Sequence, residues 1–242
     1  MIAIEQAWHA PRSLRLSLLI RLEPAGSRAT ILNGTLGYSF MSSQSISSRS
    51  RQDFRKLIRE KRNALCSDTQ FHAGLDLVTQ FAQLPEIQQA QNIAIYLSAD
   101  GELDTKPLIE WLWQQGKSVY LPVIHPFSKG QLLFLQYVNE DQLVYNKYRI
   151  LEPKLDIRHL LPVKQLDVIC TPLVGFDSIG HRLGMGGGYY DRTLSHWFKT
   201  GEGAKPIGIA HDCQHVERLP IESWDIPLPK IVTPSQIWQW EK

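Results

Sequence analysis

Residues Arg182 to Arg192 read Arg-Leu-Gly-Met-Gly-Gly-Gly-Tyr-Tyr-Asp-Arg, placing four glycines (Gly184, Gly186, Gly187 and Gly188) within five positions. Glycine tolerates positive φ and has no Cβ to keep a ligand away from the backbone. Successive backbone N–H groups in such a loop can converge into an anion cradle. The spacing predicts a helix over Tyr189 to Lys199, with Tyr190, Leu194 and Trp197 or Phe198 on one face. The glycines therefore lead into a helix N-terminus, where the helix dipole favours a phosphate. Arg182 adds a full positive charge, and Asp191 is placed either to hold a divalent ion or to cap the helix. The spelling is neither that of a P-loop nor that of a dinucleotide fingerprint. A flexible surface turn is the alternative, and the flanking Arg, Tyr-Tyr and Asp favour a ligand site.

A second source of charge lies upstream. Arg51 to Leu65 reads as a basic helix with Phe54, Leu57, Ile58 and Leu65 on its apolar side and Arg51, Arg55, Arg59 and Arg62 on its polar face. A second helix is predicted from Ser67, with Gln70 completing a capping box and Phe71, Leu75, Val78 and Phe81 facing inward. Strands and helices then alternate. Strands are expected at Asn92–Leu97, Ser118–Val123, Leu132–Val138, Leu166–Leu173, Pro206–Ala210 and Lys230–Thr233, with a helix from its cap Thr105 to Gln115. This order predicts an α/β fold with a mainly parallel sheet and helices on both faces. Ligands in such sheets bind beyond the carboxyl ends of the strands. Both the glycine loop and Ser98-Ala-Asp-Gly-Glu102 fall there, which predicts one shared site. His211-Asp-Cys213-Gln-His215 has metal-like spacing, but no second cluster accompanies it, so its histidines read as incidental.

The elements fit one domain over residues 50–242. Residues 1–49 read as a disordered extension ending in the Ser-rich stretch from Met41, and Met41 is an alternative initiator. A formal net charge of +2 is too balanced for bulk nucleic-acid binding. Three widely spaced cysteines, Cys66, Cys170 and Cys213, suit a reducing cytosol rather than a disulfide framework. Leu14 to Leu22, interrupted by Arg15 and Arg21, is too short and charged to span a membrane. The expectation is a cytoplasmic monomer that binds neither nucleic acid nor membrane.

Leu97-Ser-Ala-Asp-Gly-Glu-Leu-Asp-Thr105, Glu152-Pro153, Thr171-Pro-Leu-Val-Gly-Phe-Asp177, Arg182 to Arg192 and Trp224-Asp225 occur in this order. Together they resemble the 5-formyltetrahydrofolate cyclo-ligase (methenyltetrahydrofolate synthetase) family. The resemblance implies ATP-dependent cyclisation of 5-formyltetrahydrofolate to 5,10-methenyltetrahydrofolate, with Mg²⁺. It also implies a three-layer sandwich similar to the sugar-phosphate isomerase and CoA-transferase group. Carried over, ATP would lie on Arg51, Arg55, Arg182, Leu183, Gly184, Met185, Gly186, Gly187, Gly188, Tyr189 and Tyr190. Arg55 and Arg182 would stabilise charge during the reaction. Leu97, Glu102 and the stretch Met185 to Tyr189 (Met185, Gly186, Gly187, Gly188, Tyr189) would face the folate. Asp191 and Asp225 would hold Mg²⁺. The family usually has Lys at Arg51 and often Gly at Arg149, and some relatives have Arg at Met185 and Lys at Gly187. An isomerase or transferase on a related scaffold would need its own catalytic carboxylate and no Mg·ATP. A nucleic-acid binder using the Arg51–Arg62 helix would bind in a steeply salt-dependent way.

Overall fold

The computed structural model describes residues 30–32, 35–37, 49–140, 143–146 and 150–240. The chain divides into two units, Met1–Ser48 and Arg49–Lys242. In the first, strand β1 (Thr30–Leu32) pairs antiparallel with β2 (Thr35–Gly37). Met41 and Arg149 lie outside the described residues.

The second unit opens with helices α1 (Arg51–Asn63), α2 (Ser67–Phe81) and α3 (Pro85–Gln89), followed by β3 (Asn92–Ala94), α4 (Lys106–Gln114), β4 (Ser118–Ile124) and β5 (Leu132–Gln136). A short hairpin, β6 (Leu143–Tyr145) and β7 (Leu151–Pro153), precedes β8 (Leu160–Leu161) and β9 (Val168–Pro172). Then come β10 (Gly175–Asp177), β11 (Arg182–Leu183), α5 (Tyr189–Thr200), β12 (Lys205–Ile209), β13 (His215–Val216), β14 (Lys230–Val232) and β15 (Ile237–Gln239). Eight strands form the central sheet in the order β15-β14-β12-β9-β3-β4-β5-β8. The five inner strands, β14 to β4 in that order, are parallel, and β15, β5 and β8 join antiparallel at the two edges. This is the expected α/β architecture with a mainly parallel sheet.

Alternation along the strands builds the layers. Ile93, Cys170, Ile207 and Val232 face Leu77, Phe81, Leu108 and Leu112 of α2 and α4. Their neighbours Ala94, Ile169 and Ile231 face the other way, against Leu194 of α5 and the partly buried Tyr190 and Trp197. Helix α1 sits apart: Phe54 and Ile58 pack on Val174, Leu183 of β11 and Leu219, all beyond β9.

Four local expectations are corrected. Helix α2 turns Ala73, Gly74, Leu77 and Phe81 inward, leaving Phe71 and Leu75 exposed. It can do so because Gly74 lets α2 approach the start of α4, where a Cβ would stand 3.2 Å from the Asp104 carbonyl oxygen. The α2 N-cap is Cys66, without a side-chain cap bond, and the Thr105 hydroxyl donates to the Tyr96 carbonyl at 2.7 Å instead of capping α4. Arg62, expected on the solvated face of α1, is fully buried.

Candidate active site

The glycine loop is delivered by a small second sheet, in which β10 pairs antiparallel with β11 and parallel with β13. Asp177, fully buried at the end of β10, accepts hydrogen bonds from the Ile179, His181 and Leu219 amides at 3.0–3.1 Å and lies 3.1 Å from the His181 ring. It pins the turn before Arg182. Beyond β11, Gly186 adopts φ +99°, and Gly188, the α5 N-cap, adopts φ +65° and offers no capping side chain. Helix α5 therefore begins without a capping side-chain bond, at the end where its dipole favours an anion. Arg55 Nε donates to the Gly184 carbonyl at 2.8 Å, holding the loop against α1. Arg192 ties it on the other side: its Nε donates to the Gly130 carbonyl at 2.8 Å, an η nitrogen donates to the Gly187 carbonyl, and its guanidinium lies 5.7 Å from the Tyr189 ring centroid.

Around this loop three guanidinium groups meet two carboxylates. Arg51 makes a bidentate ion pair with Asp225, with one bond at 3.0 Å, and also donates to the Pro220 carbonyl. Arg182, buried at the base of the loop, pairs with Asp191, and its Nε has no hydrogen-bond partner. Burial would raise the Asp225 carboxyl, but the Arg51 bonds outweigh it and hold it below its ordinary range. Burial lowers Arg182, opposed by Asp191 and Asp225. Burial and then Arg51 lower Arg55. The cluster is thus cationic and partly desolvated, which strengthens its pull on an anion.

Strands β3 and β9 are parallel neighbours, so the loops that follow them leave the sheet side by side. After β3 come Tyr96, Leu97 and the turn to Glu102. Leu97 is half-buried against the main core. Glu102 is half-buried, accepts from the Ala99 amide at 3.2 Å, and has its carboxyl raised by burial, against the lowering effect of Arg62. The Tyr96 and Tyr190 phenols are both raised, first by burial and then by the Glu102 charge. Tyr190 also feels Arg182, so it stands electrostatically between the β3 turn and the glycine loop. Arg51, Arg55, Arg182, the loop Leu183 to Tyr190, Asp191 and Asp225 lie together beyond β9, and Leu97 and Glu102 lie beyond the adjacent β3. Met185 is exposed on the loop.

The fit to the implied groups follows from these contacts. A phosphate chain suits a helix N-terminus without a capping side chain, a glycine cradle and the unpartnered Arg182 Nε. Among the described residues no group of three or more His, Cys, Asp or Glu is gathered for a metal. Mg²⁺ needs no such cage, since one or two carboxylates beside phosphate oxygens and waters suffice; the carboxylates beside the loop are Asp191 and Asp225, each paired with an arginine. Residues 47–234 match the model of the 5-formyltetrahydrofolate cyclo-ligase family. The chain belongs to that family. The Escherichia coli K12 5-formyltetrahydrofolate cyclo-ligase is 55% identical over 186 residues, covering 76% of this chain and all of the relative. The Haemophilus influenzae cyclo-ligase is 50% identical over 184 residues, covering 76% of this chain and 97% of its own. An NMR structure of Aquifex aeolicus 5,10-methenyltetrahydrofolate synthetase superposes with a TM-score of 0.67 at 28% identity, covering 78% of this chain and 92% of that one.

Sequence reasoning missed three residues of this cyclo-ligase site: Asp177, Arg192 and Arg62. Arg192 closes the glycine motif, so its place beside the loop was readable. Asp177 and Arg62 act through tertiary contacts that leave no local pattern. His211 is buried beside Arg62, and burial and then Arg62 push its imidazole down to about 4, so it is neutral near pH 7. Among the described residues, no helix is long and apolar enough to cross a membrane.

Proposed function

We propose that this protein, through residues 50–242, converts 5-formyltetrahydrofolate and ATP to 5,10-methenyltetrahydrofolate, ADP and phosphate. The observation that carries this is the juxtaposition of an uncapped, arginine-flanked helix N-terminus with the half-buried carboxylate Glu102 beyond an adjacent strand. ATP lies with its phosphates on Gly184 to Gly188 and the first N–H groups of α5, within reach of Arg51, Arg55 and Arg182. Glu102 accepts hydrogen bonds from the amino and ring N–H groups of the pterin, with Leu97 beside it. Asp191 and Asp225 would hold Mg²⁺, which neutralises phosphate charge when bound. The Arg51 bonds keep Asp225 ionised for that purpose.

The chemistry needs alignment and charge neutralisation more than a protein nucleophile. The formyl oxygen is a poor leaving group. It attacks the γ-phosphorus, the bond from that phosphorus to the bridging oxygen breaks, and ADP departs. Folate N10 then attacks the activated carbon, the carbon–oxygen bond breaks, N10 loses its proton, and phosphate leaves with the former formyl oxygen. Arg55 and Arg182 face the negative charge that migrates in both steps. The three cysteines are free, which suits the reducing cytosol to which this reading assigns the enzyme. Purified protein given Mg·ATP and 5-formyltetrahydrofolate is expected to form the methenyl chromophore and ADP in equal amounts. A preparation that binds the folate but never consumes ATP would overturn the reading.

A further inference from the structure

The apolar face of α1 runs Phe54, Ile58 and then Arg62, at successive i,i+4 positions. Arg62 has 0% exposure, although a guanidinium is costly to bury without partners. Its Nε donates to the Asp100 carbonyl at 2.8 Å, and one η nitrogen donates to Asp100 Oδ2 at 2.9 Å. The other η nitrogen has no hydrogen-bond partner and stands 4.0 Å from Glu102 Oε1. Arg59, one turn earlier, also donates to Asp100 Oδ2, at 2.7 Å, but from a largely exposed position. The turn they grip is strained: Asp100 has φ +52°, and a Cβ at Gly101 would overlap the Asn63 side chain. Gln70 of α2 adds a bond to the Gly101 carbonyl at 3.3 Å. The next residue is Glu102.

The charged and titratable groups facing Glu102 are Arg62 from α1, Asp100 from its own turn, Tyr96 beyond β3 and Tyr190 from α5. Both phenols stay neutral, and His211, behind Arg62, is neutral as well. Arg62 is the cation of this set. We propose that Arg62 is a positioning residue for folate recognition, which fixes the Asp100–Glu102 turn and supplies the counter-charge opposite the pterin-facing carboxylate. This rests on the assignment of Glu102 to the pterin made above.

The test measures KM for each substrate, kcat, and the pH profile of kcat/KM for the folate, in Arg62→Met, Arg62→Lys, Glu102→Gln and the Arg62→Met/Glu102→Gln pair. Arg62→Met is expected to raise the folate KM about tenfold, to leave the ATP KM unchanged, and to move the acid limb to higher pH. Arg62→Lys restores most of the loss. In the Glu102→Gln background, Arg62→Met adds less than about twofold, because the group it acts on is gone. A merely structural arginine would raise both KM values or lower kcat alone, with an additive cost and an unmoved pH profile; that result overturns the proposal. Should Arg62→Met fail to fold, Asp100→Asn decides. It removes the negative neighbour of Glu102 and must move the acid limb to lower pH, and a shift upward or none overturns the proposal. Glu102→Gln separates the two layers. If it leaves the folate KM unchanged, the pterin assignment falls and this proposal with it. If it raises the folate KM while Arg62→Met shifts nothing, the inference about Arg62 alone falls.

Discussion

At the glycine-loop end of the site, Asp191 and Asp225 each lie in direct contact with a guanidinium; at the β3 end, Glu102 faces a guanidinium it does not touch. The consequences are opposite. Asp225 titrates below its ordinary 3.8, because the Arg51 bonds prevail over burial. The stability it contributes is present above that ordinary value and is lost as pH falls through the lower folded value. Glu102 titrates above its ordinary 4.5, because burial prevails over Arg62. Its ionised form therefore costs stability above the raised folded value, and the cost disappears as pH falls below the ordinary one. On the proposed function, the glycine-loop end would hold its charges as pairs until a polyanion arrives. The β3 end would keep one carboxylate under-compensated for a neutral heterocycle with N–H donors to satisfy.

The contrast breaks most severely at the loop itself. Gly186→Val places a β-branched residue at φ +99°, a conformation open essentially only to glycine. Strain of ~1–3 kcal/mol would remodel the cradle, so the ATP KM is expected to rise about 100-fold at the upper end of that range. The folate KM should rise much less than the ATP KM, and the melting temperature should fall by only a few degrees. Steady-state kinetics with each substrate varied in turn checks this, and an unchanged ATP KM would return the loop to a mere turn.

A smaller effect sharpens the comparison through charge. Asp191→Asn and Asp225→Asn should each raise the Mg²⁺ concentration needed for half-maximal turnover about tenfold, the scale of one charged contact. Asp225→Asn should also lower Tm by about 2 °C at neutral pH, while Glu102→Gln should raise Tm by about 2 °C and weaken folate binding. Thermal melts of both variants at two pH values read the opposite signs directly. Equal signs would show that the two ends do not differ electrostatically as described.

The glycine-loop end was largely legible in the sequence. Glycines, a following amphipathic helix and a cation are local signals, and α5 begins at Tyr189 as the spacing predicts. The alternation of strands and helices likewise identified the parallel sheet and placed both loops at one edge. The support of the folate end was not legible. Arg62 follows Phe54 and Ile58 on the inward face, yet its chemistry argues for solvent, and only the Asp100 turn, 38 residues away in sequence, explains its burial. The inner face of α2 was misread for a related reason. Its close approach to the start of α4 is made at Gly74, which leaves no hydrophobic signature, while Phe71 and Leu75 carry that signature and lie outside. The small β11-β10-β13 sheet went unseen because its strands are only two or three residues long.

The central claim is that the formyl oxygen is phosphorylated and then leaves as phosphate. The most direct measurement uses 5-formyltetrahydrofolate labelled with oxygen-18 in the formyl group, turned over with Mg·ATP, with the released phosphate read by mass spectrometry. The account predicts one labelled oxygen in each phosphate, one ADP per methenyltetrahydrofolate, and no label in water. Label released to water, or ring closure without ATP cleavage, would contradict it.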